Sequence, residues 1–166
     1  MLKTIAAAAV ICHLSSVTFA ADQPSAGAVL AGTWTLVAAD VIRTDGKQER
    51  DYGAAPTGIM MIDREGRYSL QIYKAERPRF AAGDKAAGTD AEFKAAVLGS
   101  STHFGSLSLD QAAGTLTFKI DSASYPNWEG GALQTRRYEL KGEELSYRVP
   151  PRPNGDVPIS IWQRVK

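Results

Sequence analysis

Gly32-Thr33-Trp34-Thr35-Leu36-Val37 opens the first strand-like run of the chain, and Ile159-Ser160-Ile161-Trp162-Gln163-Arg164 closes the last one. A Gly-x-Trp at the start of the first run and an Arg near the end of the last make Arg164 the expected partner of Trp34. The two runs then belong to a sheet whose first and last strands meet, and the residues between them test that idea.

Strand signals fall at residues 33–42, 58–63, 67–74, 102–109, 115–121, 133–140, 144–149 and 158–165. Successive side chains on a strand point to opposite faces. In the third run Tyr68, Leu70 and Ile72 share one face, and Arg67, Ser69 and Gln71 the other. The fifth opposes Leu116, Phe118 and Ile120 to Thr115, Thr117 and Lys119, and the seventh opposes Leu145, Tyr147 and Val149 to Glu144, Ser146 and Arg148. One dry face and one wet face imply an antiparallel sheet with one buried side. The predicted fold is therefore all-β: an eight-stranded antiparallel up-and-down barrel, closed so that no edge is exposed. Its one helix is predicted over 90–98, in the loop between strands three and four. There Thr89-Asp90-Ala91-Glu92 is a capping box and Gly99 a stop. Its Phe93, Ala96 and Val97 stripe is expected to plug an end or seal a side of the barrel.

The loops sort themselves. Calling the Trp34 end the bottom, the short turns after strands two, four and six lie at the bottom. The four long connections lie at the top, which is where ligand sites on such scaffolds concentrate.

Residues 1–20 read as a signal peptide, with Lys3, an apolar run over 5–13 and a small-residue end at Thr18-Phe19-Ala20. Residues 21–31 read as a flexible lead-in and 32–166 as the barrel domain. Cleavage would remove Cys12 and His13, the only Cys and one of the two His, leaving His103 as the sole imidazole. That excludes disulfides, thiolate chemistry and multi-His zinc sites. Loss of Lys3 brings the basic residues level with the 18 acidic ones, far from the basic footprint of a nucleic-acid binder. The expected product is periplasmic or secreted, a monomer or homodimer, with no cofactor, no metal and no integral membrane segment after cleavage.

Alternation also finds polar residues pointing inward. Below His103 the fourth strand places Gly105, Leu107 and Leu109; the sixth places Gln134, Arg136 and Tyr138 above Leu140. Tyr68 and Tyr147 share the inner face, and Trp128 sits in a top loop. The expected site is His103, Arg136, Gln134, Tyr138, Tyr147, Tyr68 and Trp128, placing His103 and Arg136 at similar heights. A small, largely hydrophobic ligand with an acidic or carbonyl end would be held by Arg136, because an inward Arg wants a carboxylate. Against this, Arg136 could reach water at the rim or pair with Asp121 or Glu129, His103 could be a hydrogen-bonded core residue, and the tyrosines simple packing. A second function is an isomerase, cyclase or lyase with His103 as general base and Arg136 or a Tyr stabilising negative charge. A third is haem ligation by His103.

Gly32-Thr33-Trp34, the Asp45-Gly46 pair, Asp63-x-x-Gly66-Arg67-x-Ser69-x-Gln71-Ile72, Gly105, Pro126-Asn127-Trp128-x-Gly130 and Trp162-x-Arg164 resemble the bacterial lipocalin-like domain family across residues 31–165. The resemblance implies a calycin-type eight-stranded cup, with Arg164 packed on Trp34 as a structural lock. Family members often carry a His in the strand before Pro-Asn-Trp, where this chain has Phe118-Lys119.

Overall fold

The computed structural model describes residues 26–166. The expected signal peptide, 1–20, lies outside the described residues, as does the start of the lead-in. The strands are β1 (Gly32–Ile42), β2 (Gln48–Glu49), β3 (Thr57–Ile62), β4 (Arg67–Tyr73), β5 (Ser100–Asp110), β6 (Thr115–Ala123), β7 (Gln134–Lys141), β8 (Glu144–Arg148) and β9 (Val157–Arg164). From β3 onward each strand pairs antiparallel with the next, and β9 returns to β1 from Trp34↔Arg164 to Ile42↔Val157. This closes an eight-stranded barrel, as alternation predicts. β2 lies outside the closed circuit, a two-residue strip on the upper end of β1. It is too short to leave a period in the sequence.

The base is tighter than the sequence implies. The lead-in was expected to be flexible, yet Ala26–Leu30 forms a helix, α1, with Ala26 and Leu30 buried. A side chain on Gly27 would collide with the Arg64 carbonyl, so glycine lets α1 lie flat on the β3–β4 turn. Trp34 Nε1 donates to the Leu30 carbonyl at 2.9 Å, and Arg164 stacks on the Trp34 ring with its Cζ 4.1 Å from the centroid. Arg164 also donates to the carbonyls of Ala31 and Val29 and pairs with Glu143, at 2.6 Å from Nε. Helix, first strand and last strand thus become one unit.

The second helix, α2 (Asp90–Leu98), forms with both halves of its capping box, the Glu92 amide to Thr89 Oγ1 at 3.3 Å and the Thr89 amide to Glu92 Oε2 at 2.7 Å. It lies in the connection between β4 and β5. Its expected sealing role is not what the structure shows. No α2 residue is buried, and Phe93 packs edge-on against Phe80 of its own loop at 5.4 Å. The end of the barrel is sealed by α1. The core runs from Leu30 and Trp34 through Met60, Leu70, Leu116 and Leu145 to Phe118 and Tyr147. Each large apolar side chain there contributes about 1.5–3 kcal/mol by leaving water.

Candidate functional site

Two local features shape the upper interior. On β5, a side chain at Gly105 would collide with the Lys119 carbonyl; the β5–β6 register slips here, between Phe104 and Gly105. Gly105 pairs with Tyr68 on β4, and the Tyr68 phenol reaches His103. On β6, pairing with β7 ends at Phe118↔Gln134 although the strand continues to Ala123. The open stretch is fastened by Glu129, which accepts from Ser122 Oγ at 2.7 Å and the Ala123 amide at 2.9 Å. That fastening holds the 3₁₀ turn Pro126–Trp128 over the interior, with the Trp128 ring edge-on to His103 at 5.9 Å.

His103 is buried at 5 % exposure, and its Nδ1 lies 2.7 Å from the Tyr68 hydroxyl. Burial, then the neighbouring Arg136 charge, lowers the imidazole from 6.5 to about 3, so the ring is neutral in ordinary conditions. Burial likewise raises the Tyr68 phenol well above its usual value. Both groups act as hydrogen-bonding groups rather than charges. A base this weak is far from the near-neutral value that suits general-base work.

Phe118 is the hub. Its ring meets Tyr68 at 5.1 Å, Tyr147 at 5.5 Å and His103 at 5.7 Å. The Arg136 Cζ sits 4.0 Å from its centroid and 5.1 Å from that of Tyr147. Arg136 is neither at the rim nor paired with a loop acid: it is 6 % exposed, Glu129 is engaged on β6, and Asp121 faces solvent. Nor does its backbone share a height with His103. It pairs with Leu116, which pairs with Leu109, six positions down β5 from His103. The two groups meet across Phe118, not side by side.

The Arg136 guanidinium donates from Nη2 to Gln134 Oε1, at 2.8 Å. Its Nε is buried without a partner, as are the Tyr147 hydroxyl and Trp162 Nε1. Arg136, Trp162 and Ser160 flank that hydroxyl, so these unsatisfied groups gather in one place. Burial pushes the guanidinium below its ordinary value, partly offset by Tyr147 and Tyr68; it stays protonated because arginine does not lose its proton in proteins.

Above this cluster is a cavity of about 250 Å³, lined by His103, Trp128, Gln134, Arg136 and Tyr147 from the expected set. Tyr68 stands behind His103 and outside the lining. Tyr138 does not reach it and borders a separate groove with Gly114 and Arg137. Ala39, Leu70, Ile72, Val149, Pro150, Pro158 and Ile159 supply apolar walls, and Asp40, Asp51, Tyr52, Ser101, Arg152 and Ser160 complete the lining. Ser160 alternates with Trp162 on β9 and was legible by period two; the loop residues Asp51 and Tyr52 carry no such signal. The Asp51 and Arg152 side chains form an ion pair at 2.5 Å, while Asp40 accepts from Gln48 at 2.7 Å. No described helix is long and apolar enough to cross a membrane.

A family model described as a lipocalin-like domain matches residues 31–165, from the end of α1 through β9. A search of curated proteins returns no match.

Proposed function

The chain belongs to the lipocalin-like domain family, and on that footing we propose that it binds a small, largely apolar carboxylic acid in the cup, with the carboxylate on Arg136. The observation that carries this is the buried Arg136 guanidinium at the cavity floor, whose Nε has no partner and which no acid among the described residues neutralises. A buried cation without a counter-charge costs several kcal/mol, and a bound carboxylate would remove that cost through a charge-assisted, bidentate contact. The walls above the floor are largely apolar, interrupted by Asp40 and by the Asp51–Arg152 pair, and the cavity is slightly smaller than the roughly 300–1,000 Å³ typical of drug-sized ligands. Export to the periplasm or beyond is part of the same proposal and rests on residues 1–20; mass measurement of protein from its own host should find a chain starting at Ala21.

The isomerase, cyclase or lyase reading needs His103 to accept a proton, and burial beside Arg136 works against it. Binding is therefore preferred. The test is a titration of caproate against hexanol, followed by NMR chemical-shift changes at the cavity-lining residues. Caproate should bind and lose at least about tenfold in affinity in Arg136→Met, while hexanol changes little. Equal binding of acid and alcohol, or an acid indifferent to Arg136→Met, would overturn the proposal.

A further inference from the structure

The carboxylate site accounts for Arg136 but leaves another lining residue, His103, without a role. Resting on that site, we propose that the ligand is a monocarboxylic acid with a second, uncharged acceptor oxygen, a ketone or ester carbonyl, which receives the His103 Nε2–H.

The tautomer follows from proton accounting. The Tyr68 side chain is buried, and its hydroxyl has one proton and one partner among the described residues, His103 Nδ1 at 2.7 Å. If Nδ1 carried the ring proton, the phenol proton would be left buried without an acceptor, which is costly. Tyr68 therefore donates to Nδ1, and the proton of the neutral ring sits on Nε2. Nε2 has no partner among the described residues, and His103 lines the cavity. Tyr68 acts as a positioning residue that sets which ring nitrogen can donate.

The same inventory limits the ligand to one charge. The other cation of the lining, Arg152, is neutralised by Asp51 at the mouth. Arg136 is then the one lining cation without an acidic partner among the described residues. A second carboxylate would meet a neutral imidazole, apolar walls and the carboxylates of Asp40 and Asp51, where a further negative charge is strongly disfavoured. Length is set by Phe118, because His103 and Arg136 both lie against its ring, at 5.7 and 4.0 Å. A short acid can therefore reach both.

Three acids of similar size separate the possibilities: levulinate, with a ketone; isocaproate, with a methyl in place of the ketone oxygen; and glutarate, with a second carboxylate. Their binding is followed by NMR chemical-shift titration of the full chain, and long-range proton–nitrogen spectra of the wild type read the His103 tautomer directly. The expected result is an Nε2–H imidazole and levulinate bound about tenfold tighter than either analogue, the worth of one hydrogen bond. In His103→Phe that preference should vanish, and Tyr68→Phe should weaken the preference with the fold intact. An Nδ1–H tautomer, or equal binding of levulinate and isocaproate to the wild type, would sink the proposal while leaving the carboxylate site standing. If none of the acids binds at millimolar concentration, or all bind equally to Arg136→Met, the carboxylate site itself fails and this proposal with it.

Discussion

The two ends of the barrel each hold an arginine stacked on an aromatic ring, and they do opposite things with it. At the base, Arg164 lies 4.1 Å from Trp34; in the upper interior, Arg136 lies 4.0 Å from Phe118. The stacking is alike, but the company is not. Arg164 has two backbone carbonyls and Glu143. Arg136 has one amide oxygen, the Tyr147 hydroxyl beside it, and a buried Nε that makes no hydrogen bond. A satisfied buried polar group fixes a structure, whereas an unsatisfied one stores a demand that a ligand can meet. The comparison separates architecture from function without reference to any relative.

The base should break hardest. Trp34→Ala deletes a fully buried indole and its bond to Leu30, and should cost about 4 kcal/mol, read as a loss of denaturant midpoint. A loss below about 1 kcal/mol would mean that α1 and the strand ends are not one unit.

The arginines come next, with opposite signs. Arg164→Met leaves two carbonyls and Glu143 unanswered and should destabilise the empty protein by about 2 kcal/mol. Arg136→Met replaces an uncompensated buried cation with an apolar chain and should raise stability by about 1 kcal/mol. Paired melting curves check both, and matching losses would erase the distinction drawn here.

A pH series sharpens the upper half. His103 is lowered to about 3 in the folded protein from 6.5, so the unfolded chain takes up the proton first as the pH falls. Stability should therefore decline below about pH 6.5, by about 1.4 kcal/mol per unit, until the folded ring titrates too. Between about pH 6 and pH 5, above most carboxylates, His103→Gln should flatten this slope in thermal melts. An unchanged slope would place the buried proton elsewhere.

The smallest effect belongs to the mouth. Arg152→Ala removes a partly exposed ion pair and should cost less than about 1 kcal/mol, with a faster ligand off-rate as its clearer signature in stopped flow. A large stability loss would make Asp51–Arg152 part of the frame instead of the rim.

Strand alternation made most of this legible in advance. Tyr68, Leu70, Ile72, Leu116, Phe118, Leu145 and Tyr147 are inward in both the pattern and the structure because a pleated strand has no other choice. His103 and Arg136 were found the same way. The α2 stripe misled because Phe93 could be satisfied by a neighbour in its own loop, Phe80, without touching the barrel. Asp51, Tyr52 and Arg152 were missed because loops have no period to read. The position of Arg136 relative to His103 was misjudged because register depends on the bulge at Gly105 and on how β7 pairs with β6, neither of which alternation within a strand reveals.

By itself the sequence determined the closed eight-stranded barrel, its tight base and open top, and the inward identity of its polar residues, all consequences of local periodicity and turn chemistry. Only the tertiary structure decided which of those polar groups are answered. Whether a guanidinium or an imidazole finds a partner depends on side chains brought together from distant strands, and the folded protein closes every such account at Arg164 and leaves it open at Arg136.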